Sequence, residues 1–121
     1  MGKIRDFKDL VVWQRAIELA GVCYQIVETA PRRATRGIGA QLVDAADSVG
    51  ANIAEGHGRP TRQDYLRFLG IAHASLREVE NHLLNLERAR RLCGPRINLA
   101  LSLTTECGKM LTVLQRRLRE S

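Results

Sequence analysis

From Thr61 to Leu92 the chain contains no proline, and its apolar residues return every three or four positions: Tyr65, Phe68, Leu69, Ala72, Leu76, Val79, Leu83 and Leu86. That spacing lays one continuous stripe along a helix of some seven turns, whereas a strand would need strict alternation. A helix this long, apolar on one side, requires partners of similar length to cover that side. The rest of the chain offers three.

Asp6 or Asp9 is expected to cap the first helix, since either carboxylate accepts from free N–H groups. Its stripe reads Leu10, Trp13, Ile17, Ala20, Tyr24 and Val27, widened by Val11, Val12 and Ile26, and Ala30-Pro31 stops it. Arg32-Arg33-Ala34-Thr35-Arg36 then reads as a basic connector, with Thr35 as the N-cap of the second helix. That helix carries Ile38, Leu42, Ala45, Ala46, Val49 and Ile53, a face of mostly small side chains that lets a neighbour approach closely. Gly37, Gly39 and Gly50 weaken it by roughly 1 kcal/mol each relative to Ala, which packing must offset. The stretch Ala51 to Arg59 closes it, with Gly56 or Gly58 suited to a left-handed C-terminal turn. Thr61 and Asp64 resemble a capping box for the long third helix, which is expected to run to Cys93. Gly94 past its end and Pro95 at the start of the next follow the usual asymmetry. The fourth helix presents Ile97, Ala100, Leu101, Leu103, Thr104, Cys107, Met110, Leu111, Leu114 and Leu118.

Four helices joined by short connectors imply an all-α, up-down-up-down antiparallel four-helix bundle, forming a single domain over residues 1–121. Aromatic residues make up only 4% of the chain, so aliphatic side chains must fill the core, which suits a helical bundle better than a β-sandwich. Cys23, Cys93 and Cys107 are odd in number, widely spaced and without a CxxC pair; they read as buried free thiols rather than a disulfide framework or zinc site. The N-terminus has no apolar signal region and no run is long enough to span a membrane, so the expectation is a cytoplasmic protein without a membrane partner.

The formal net charge is +6, and of 19 basic residues sixteen are arginines. Arginine's planar fork suits phosphate better than a lysine ammonium does, which points to a polyanionic partner, RNA or DNA. Up-down topology would sort these residues by end. One end collects Arg32, Arg33 and Arg36 with Arg88, Arg90, Arg91 and Arg96; the other collects Lys3, Arg5, Lys8, Arg59, Arg62 and Arg67 with Arg116, Arg117 and Arg119. Asp44, Asp47, Glu78 and Glu80 fall between them. Such contacts position a nucleic acid without specifying its sequence. Trp13, Tyr24, Tyr65, Phe7 and Phe68 mostly lie on core stripes, which disfavours recognition by base stacking.

No motif demands a reaction. Glu78 and His82 share a helix face but make only two ligands, so neither a metal nor another cofactor is expected. The spacing of Arg77 and His82 is similar to the motif of the HEPN ribonucleases, and Arg67 with His73 is one residue longer. In that chemistry Arg stabilises a phosphorane and His transfers a proton, but an arginine-rich chain yields such pairs by chance, and His82 reads as a helix-surface histidine. Asn52, Glu55, Gly56 and Arg59 read as a polar turn motif or as part of a subunit interface.

Three segments together resemble the four-helix-bundle proteins associated with intervening sequences of 23S ribosomal RNA genes: Asp9 to Ala16, Gln41-Leu42 through Asn52-Ile53-Ala54-Glu55-Gly56 to Arg59, and Tyr65 to Glu80. The resemblance implies assembly as a ring-shaped homopentamer, and it brings no catalytic residues. It extends to the accessory variability determinants of diversity-generating retroelements, which implies nucleic acid and a reverse transcriptase as partners. Val43-Asp44-Ala45-Ala46-Asp47 departs from it, being acidic where relatives often carry basic residues, and Gly50 stands where proline is common. The expectation is therefore a non-enzymatic, homo-oligomeric nucleic-acid-binding protein that uses its basic ends. A protein–protein adaptor and a HEPN-like ribonuclease are the alternatives.

Overall fold

The computed structural model describes residues 3–121. Among the described residues every regular element is helical: a 3₁₀ turn at Phe7–Asp9, then α1 (Val11–Thr29), α2 (Arg32–Thr35), α3 (Gly39–His57), α4 (Arg62–Arg88) and α5 (Pro95–Glu120). Helix α2 is a single turn; the other four are long. Both α1 and α4 pack against α3 and α5. Val27 of α1 lies beside Gly39 of α3, and Trp13 and Ile17 lie beside Gly50. The Ser48 and Ser75 hydroxyls join α3 to α4 at 2.9 Å, His73 Nδ1 meets Gln115 Oε1 at 3.0 Å between α4 and α5, and Arg15 Nε donates to Glu106 at 3.0 Å between α1 and α5.

One aliphatic core fills the interior. The α3 stripe from Ile38 to Ile53 is buried throughout, as its spacing predicts, and so is the α4 stripe from Leu69 to Leu86. Helix α1 differs. Its buried residues are Val12, Ala16, Leu19, Ala20, Val22, Cys23 and Ile26, so that of the predicted stripe Ala20 is buried with the widening Val12 and Ile26, Leu10, Trp13 and Val27 pack half-buried against the core, and Ile17 is 47% and Tyr24 42% exposed. The apolar residues of α1 cover so broad an arc that two phases fit the sequence, and contact with both α3 and α5 selects the other one.

The helix ends also correct the sequence reading. Asp6 and Asp9 form a complete capping box, but around the 3₁₀ turn; α1 starts at Val11 after Leu10, with no side-chain cap. Donations from the Arg5 and Asp6 backbone hold the Asp9 carboxyl below its usual range. Thr35 ends α2 instead of capping α3, which follows Ile38 after a left-handed Gly37 with φ of 77°. Gly56 and Gly58 make no left-handed turn: Gly56 is inside α3, and Gly58 has φ of −83°. Gly56 serves contact instead, because a Cβ there would lie 2.8 Å from Phe68 Cβ. Thr61 caps α4 through the Asp64 N–H at 3.1 Å. Helix α4 stops at Arg88, short of Cys93, and the chain turns through Arg91, at φ of 58°, before Gly94 and Pro95 start α5. Cys23 and Cys107 are buried free thiols; Cys93 is exposed.

Candidate nucleic-acid interface

Three connecting segments meet at one end of the molecule: the α1–α3 connection containing α2, the end of α4, and the turn into α5. The Arg90 guanidinium fastens two of them, since Nη1 donates to the Ala34 carbonyl at 3.2 Å and to the Arg36 carbonyl at 2.6 Å. Those acceptors are carbonyls that the short α2 leaves without helical partners. Arg90 is thus a structural strut, which its place in the sequence-predicted cationic set did not show. Burial of Ala34 beneath α2 completes the attachment.

The other six arginines of this end behave differently. Arg32, Arg33, Arg36, Arg88, Arg91 and Arg96 are exposed, and among the described residues none of them forms an ion pair. Glu28 and Glu87 are the acids in the flanking helical turns. A concentration of unpaired guanidiniums on exposed turns is self-repulsive unless counterions or a polyanion screen it, and it presents forks that match phosphate oxygens.

Beside these arginines lies a cleft of about 500 Å³ between the end of α1 and the turn into α5, lined among others by Ile26, Ala30, Pro31, Leu92, Cys93 and Arg96. Sequence reasoning missed it, because its two walls are some sixty residues apart and only the fold brings them together.

At the opposite end Lys8, Arg59 and Arg67 are ion-paired, while Lys3, Arg5, Arg62, Arg116, Arg117 and Arg119 form no ion pair among the described residues. Arg59 Nη2 lies 3.3 Å from Glu55 and its Nε 3.5 Å from Asp64, and its guanidinium stacks over the Phe68 ring at 4.8 Å. Arg67 pairs with Asp64 at 2.9 Å and covers Phe68 from 4.4 Å. Lys8 lies 3.6 Å from Asp6, and Arg62 donates to Ser121 Oγ at 3.1 Å. Arg116, Arg117 and Arg119 lie on the last turns of α5, where Arg116, Arg117 and Arg119 are all exposed. Arg59 therefore belongs to the α3–α4 clasp. Asn52 works one turn earlier, donating to the Ser48 carbonyl at 2.8 Å and the Ser48 hydroxyl at 2.9 Å, which in turn meets Ser75. Glu55, Gly56 and Arg59 lie in the α3–α4 contact, while Asn52 bonds within α3 to the Ser48 that meets α4.

The middle of the molecule separates the two ends by charge. Asp47 accepts the Tyr24 hydroxyl at 2.6 Å, an arrangement that raises the phenol's pKa by a hydrogen bond to, and repulsion from, the carboxylate. His82 is not a surface residue: it is 8% exposed, with Nε2 held 3.2 Å from Glu78. Arg77, five residues earlier, stands about 140° around the helix from it and lines a groove with His73 and Glu80. No cluster of three His, Cys, Asp or Glu side chains suited to a metal occurs among the described residues. None of their helices is long and apolar enough to cross a membrane.

The structure thus defines an all-helical protein with a cationic end built from its connectors. The sequence model of the 23S rRNA-intervening sequence protein family matches residues 8–113, and the chain belongs to that family. It is similar to a crystal structure of a protein of unknown function from the S23 ribosomal protein family of Bacteroides thetaiotaomicron, with a TM-score of 0.78 at 23% identity, covering 86% of this chain and 97% of the other. That likeness concerns the fold alone. No curated protein matches the chain.

Proposed function

We propose that the protein is a non-enzymatic, cytoplasmic, homo-oligomeric nucleic-acid-binding accessory protein that engages RNA or DNA through its connector end. The observation that carries this reading is the set of six exposed arginines, in and beside the two connections at that end, that form no ion pair among the described residues. In this reading the four long helices form an up-down-up-down antiparallel bundle. The pairings Val27 with Gly39 and Trp13 with Gly50, Ser48 with Ser75 and Gly56 with Phe68, and His73 with Gln115 and Leu76 with Gly108 support it, since residue numbers rise along one helix as they fall along its neighbour. The subunits assemble as a ring of five. Ile17 and Tyr24, exposed by 47% and 42% and two turns apart on one side of α1, give it an apolar strip suited to a second subunit, and the number five rests on the family resemblance. A ring repeats one cationic end several times, so weak phosphate contacts add by avidity.

The test is the affinity for a labelled RNA as salt is raised. Six phosphate contacts per subunit on a single strand correspond to a slope of about −4 in log affinity against log salt. An affinity that does not change between low and physiological salt sinks the proposal.

A further inference from the structure

The cleft at the connector end has a chemical build of its own. Its volume of about 500 Å³ lies within the range of small-ligand pockets. Ile26, Ala30 and Pro31 line it from the end of α1 and Leu92, Gly94 and Ile97 from the turn into α5, with Ile26 and Ile97 themselves buried. Thr29, also in the lining, has its hydroxyl committed to the Gln25 carbonyl at 2.7 Å. Each wall runs directly into cations: Arg32 and Arg33 follow Pro31, Arg91 precedes Leu92, and Arg96 is itself part of the lining. The result is a slot that is apolar within and cationic at both lips.

A nucleotide within a strand has the complementary build, a flat base with apolar faces between two phosphates. A base in continuous duplex cannot offer those faces, because stacking covers them; an unpaired one can. We infer that the cleft receives an unpaired base of the bound strand, so that the ligand class is single-stranded or looped nucleic acid. This rests on the function proposed above and adds the strand type to it. A proline ring and aliphatic walls contact a base by dispersion, which does without the aromatic platforms that the chain lacks at this end. Thr29 already donates its hydroxyl hydrogen to Gln25, so toward a base it offers acceptor lone pairs alone.

Cys93 makes the inference testable in the unmodified protein, since it lines the cleft and is exposed while Cys23 and Cys107 are buried. The rate of Cys93 alkylation by an uncharged maleimide is measured alone, with saturating RNA hairpin carrying an unpaired loop, and with blunt RNA duplex of equal phosphate number. Loop RNA is expected to slow alkylation by about tenfold, the order of magnitude that one enclosed base contributes, and duplex to leave it nearly unchanged. Ala30→Trp, which fills the slot from its half-buried rim, is expected to bring hairpin affinity down to the duplex level and leave duplex affinity intact. Hairpin binding without protection of Cys93, or equal protection by duplex, overturns the inference and leaves nucleic-acid binding standing. Absence of any RNA binding at low salt overturns both. Protection by a peptide with an aromatic residue among carboxylates, and none by the hairpin, overturns it in favour of a protein ligand.

Discussion

Replacing Gly56 by alanine tests whether contact or conformation requires glycine in the family-like Asn-Ile-Ala-Glu-Gly stretch. The added Cβ would lie 2.8 Å from Phe68 Cβ, 3.0 Å from Tyr65 Cδ1 and 3.3 Å from the Tyr65 carbonyl oxygen. Carbon atoms pack best at about 3.5–4.0 Å, so α3 and α4 must separate locally by roughly 0.7 Å or more. Phe68 Cβ is fixed to its backbone and cannot rotate aside. Overpacking of this kind costs about 1–3 kcal/mol, and alanine's better helix propensity returns roughly 1. The separation also loosens the clasp in which Arg59 joins Glu55 and Asp64 at 3.3 and 3.5 Å. The first two effects leave about 0–2 kcal/mol and weakening the two partly exposed ion pairs adds up to roughly 1, so Gly56→Ala is expected to lose about 1–2 kcal/mol. Gly70 is the internal control: it lies in α4, and a Cβ added there meets nothing within 4 Å, so Gly70→Ala is expected to gain about 0.5–1 kcal/mol. Urea unfolding followed by far-UV circular dichroism, at matched protein concentration, reads both. A Gly56→Ala protein as stable as the parent, or a Gly70→Ala protein shifted in the same direction as Gly56→Ala, refutes the contact argument.

Two further outcomes follow from the same geometry. Arg90→Met keeps an apolar stem but removes the donations to the Ala34 and Arg36 carbonyls; it is expected to cost about 1–2 kcal/mol and to speed amide exchange over residues 31–38, leaving the centre of α4 protected. Unchanged exchange there contradicts the strut role. Burial pushes the Cys23 thiol up to about 12 and the Cys107 thiol up to about 11, so native protein at neutral pH is expected to label at Cys93 alone, as read by mass spectrometry of the intact chain. Because both folded values lie above the ordinary 9.0, their stabilising effect is complete below that pH and is lost as pH rises through 11 and 12; alkaline unfolding that is identical after Cys23→Ala and Cys107→Ala speaks against it.

The parts of the fold legible in the sequence are those where one period has one solution. Helices α3 and α4 carry narrow stripes, from Ile38 to Ile53 and from Leu69 to Leu86, and both are buried as their spacing predicts. Pro95 starts α5 as expected, because proline suits the first helical position, whereas Gly94, expected just past the end of α4, lies six residues beyond Arg88 and precedes α5 instead. Helix α1 is readable as a helix but not in phase, since Val11, Val12, Trp13, Ile17, Tyr24 and Ile26 surround it with apolar choices. Gly56 is ambiguous for another reason: a glycine near a helix end serves equally as a turn or as a gap for Phe68, and only the neighbouring helix decides. At the two ends, residue type alone identifies the arginines, but not that Arg90 is consumed by carbonyls of the α1–α3 connection or that Arg59 is held between two carboxylates. Those distinctions depend on contacts between residues more than fifty positions apart, or across a turn whose glycines suit more than one geometry.

Two triple variants of equal charge change decide whether the connector end holds the polyanion. Arg32, Arg33 and Arg36 are replaced by serine in one protein, and Arg116, Arg117 and Arg119 in the other, and each is titrated with the same loop-bearing RNA across a range of salt. The connector variant is expected to weaken binding and to flatten the log–log salt slope by about 2, the share of three phosphate contacts on a single strand. The α5 variant is expected to keep the parent slope. Equal flattening in both proteins, or flattening in the α5 variant alone, would contradict the assignment.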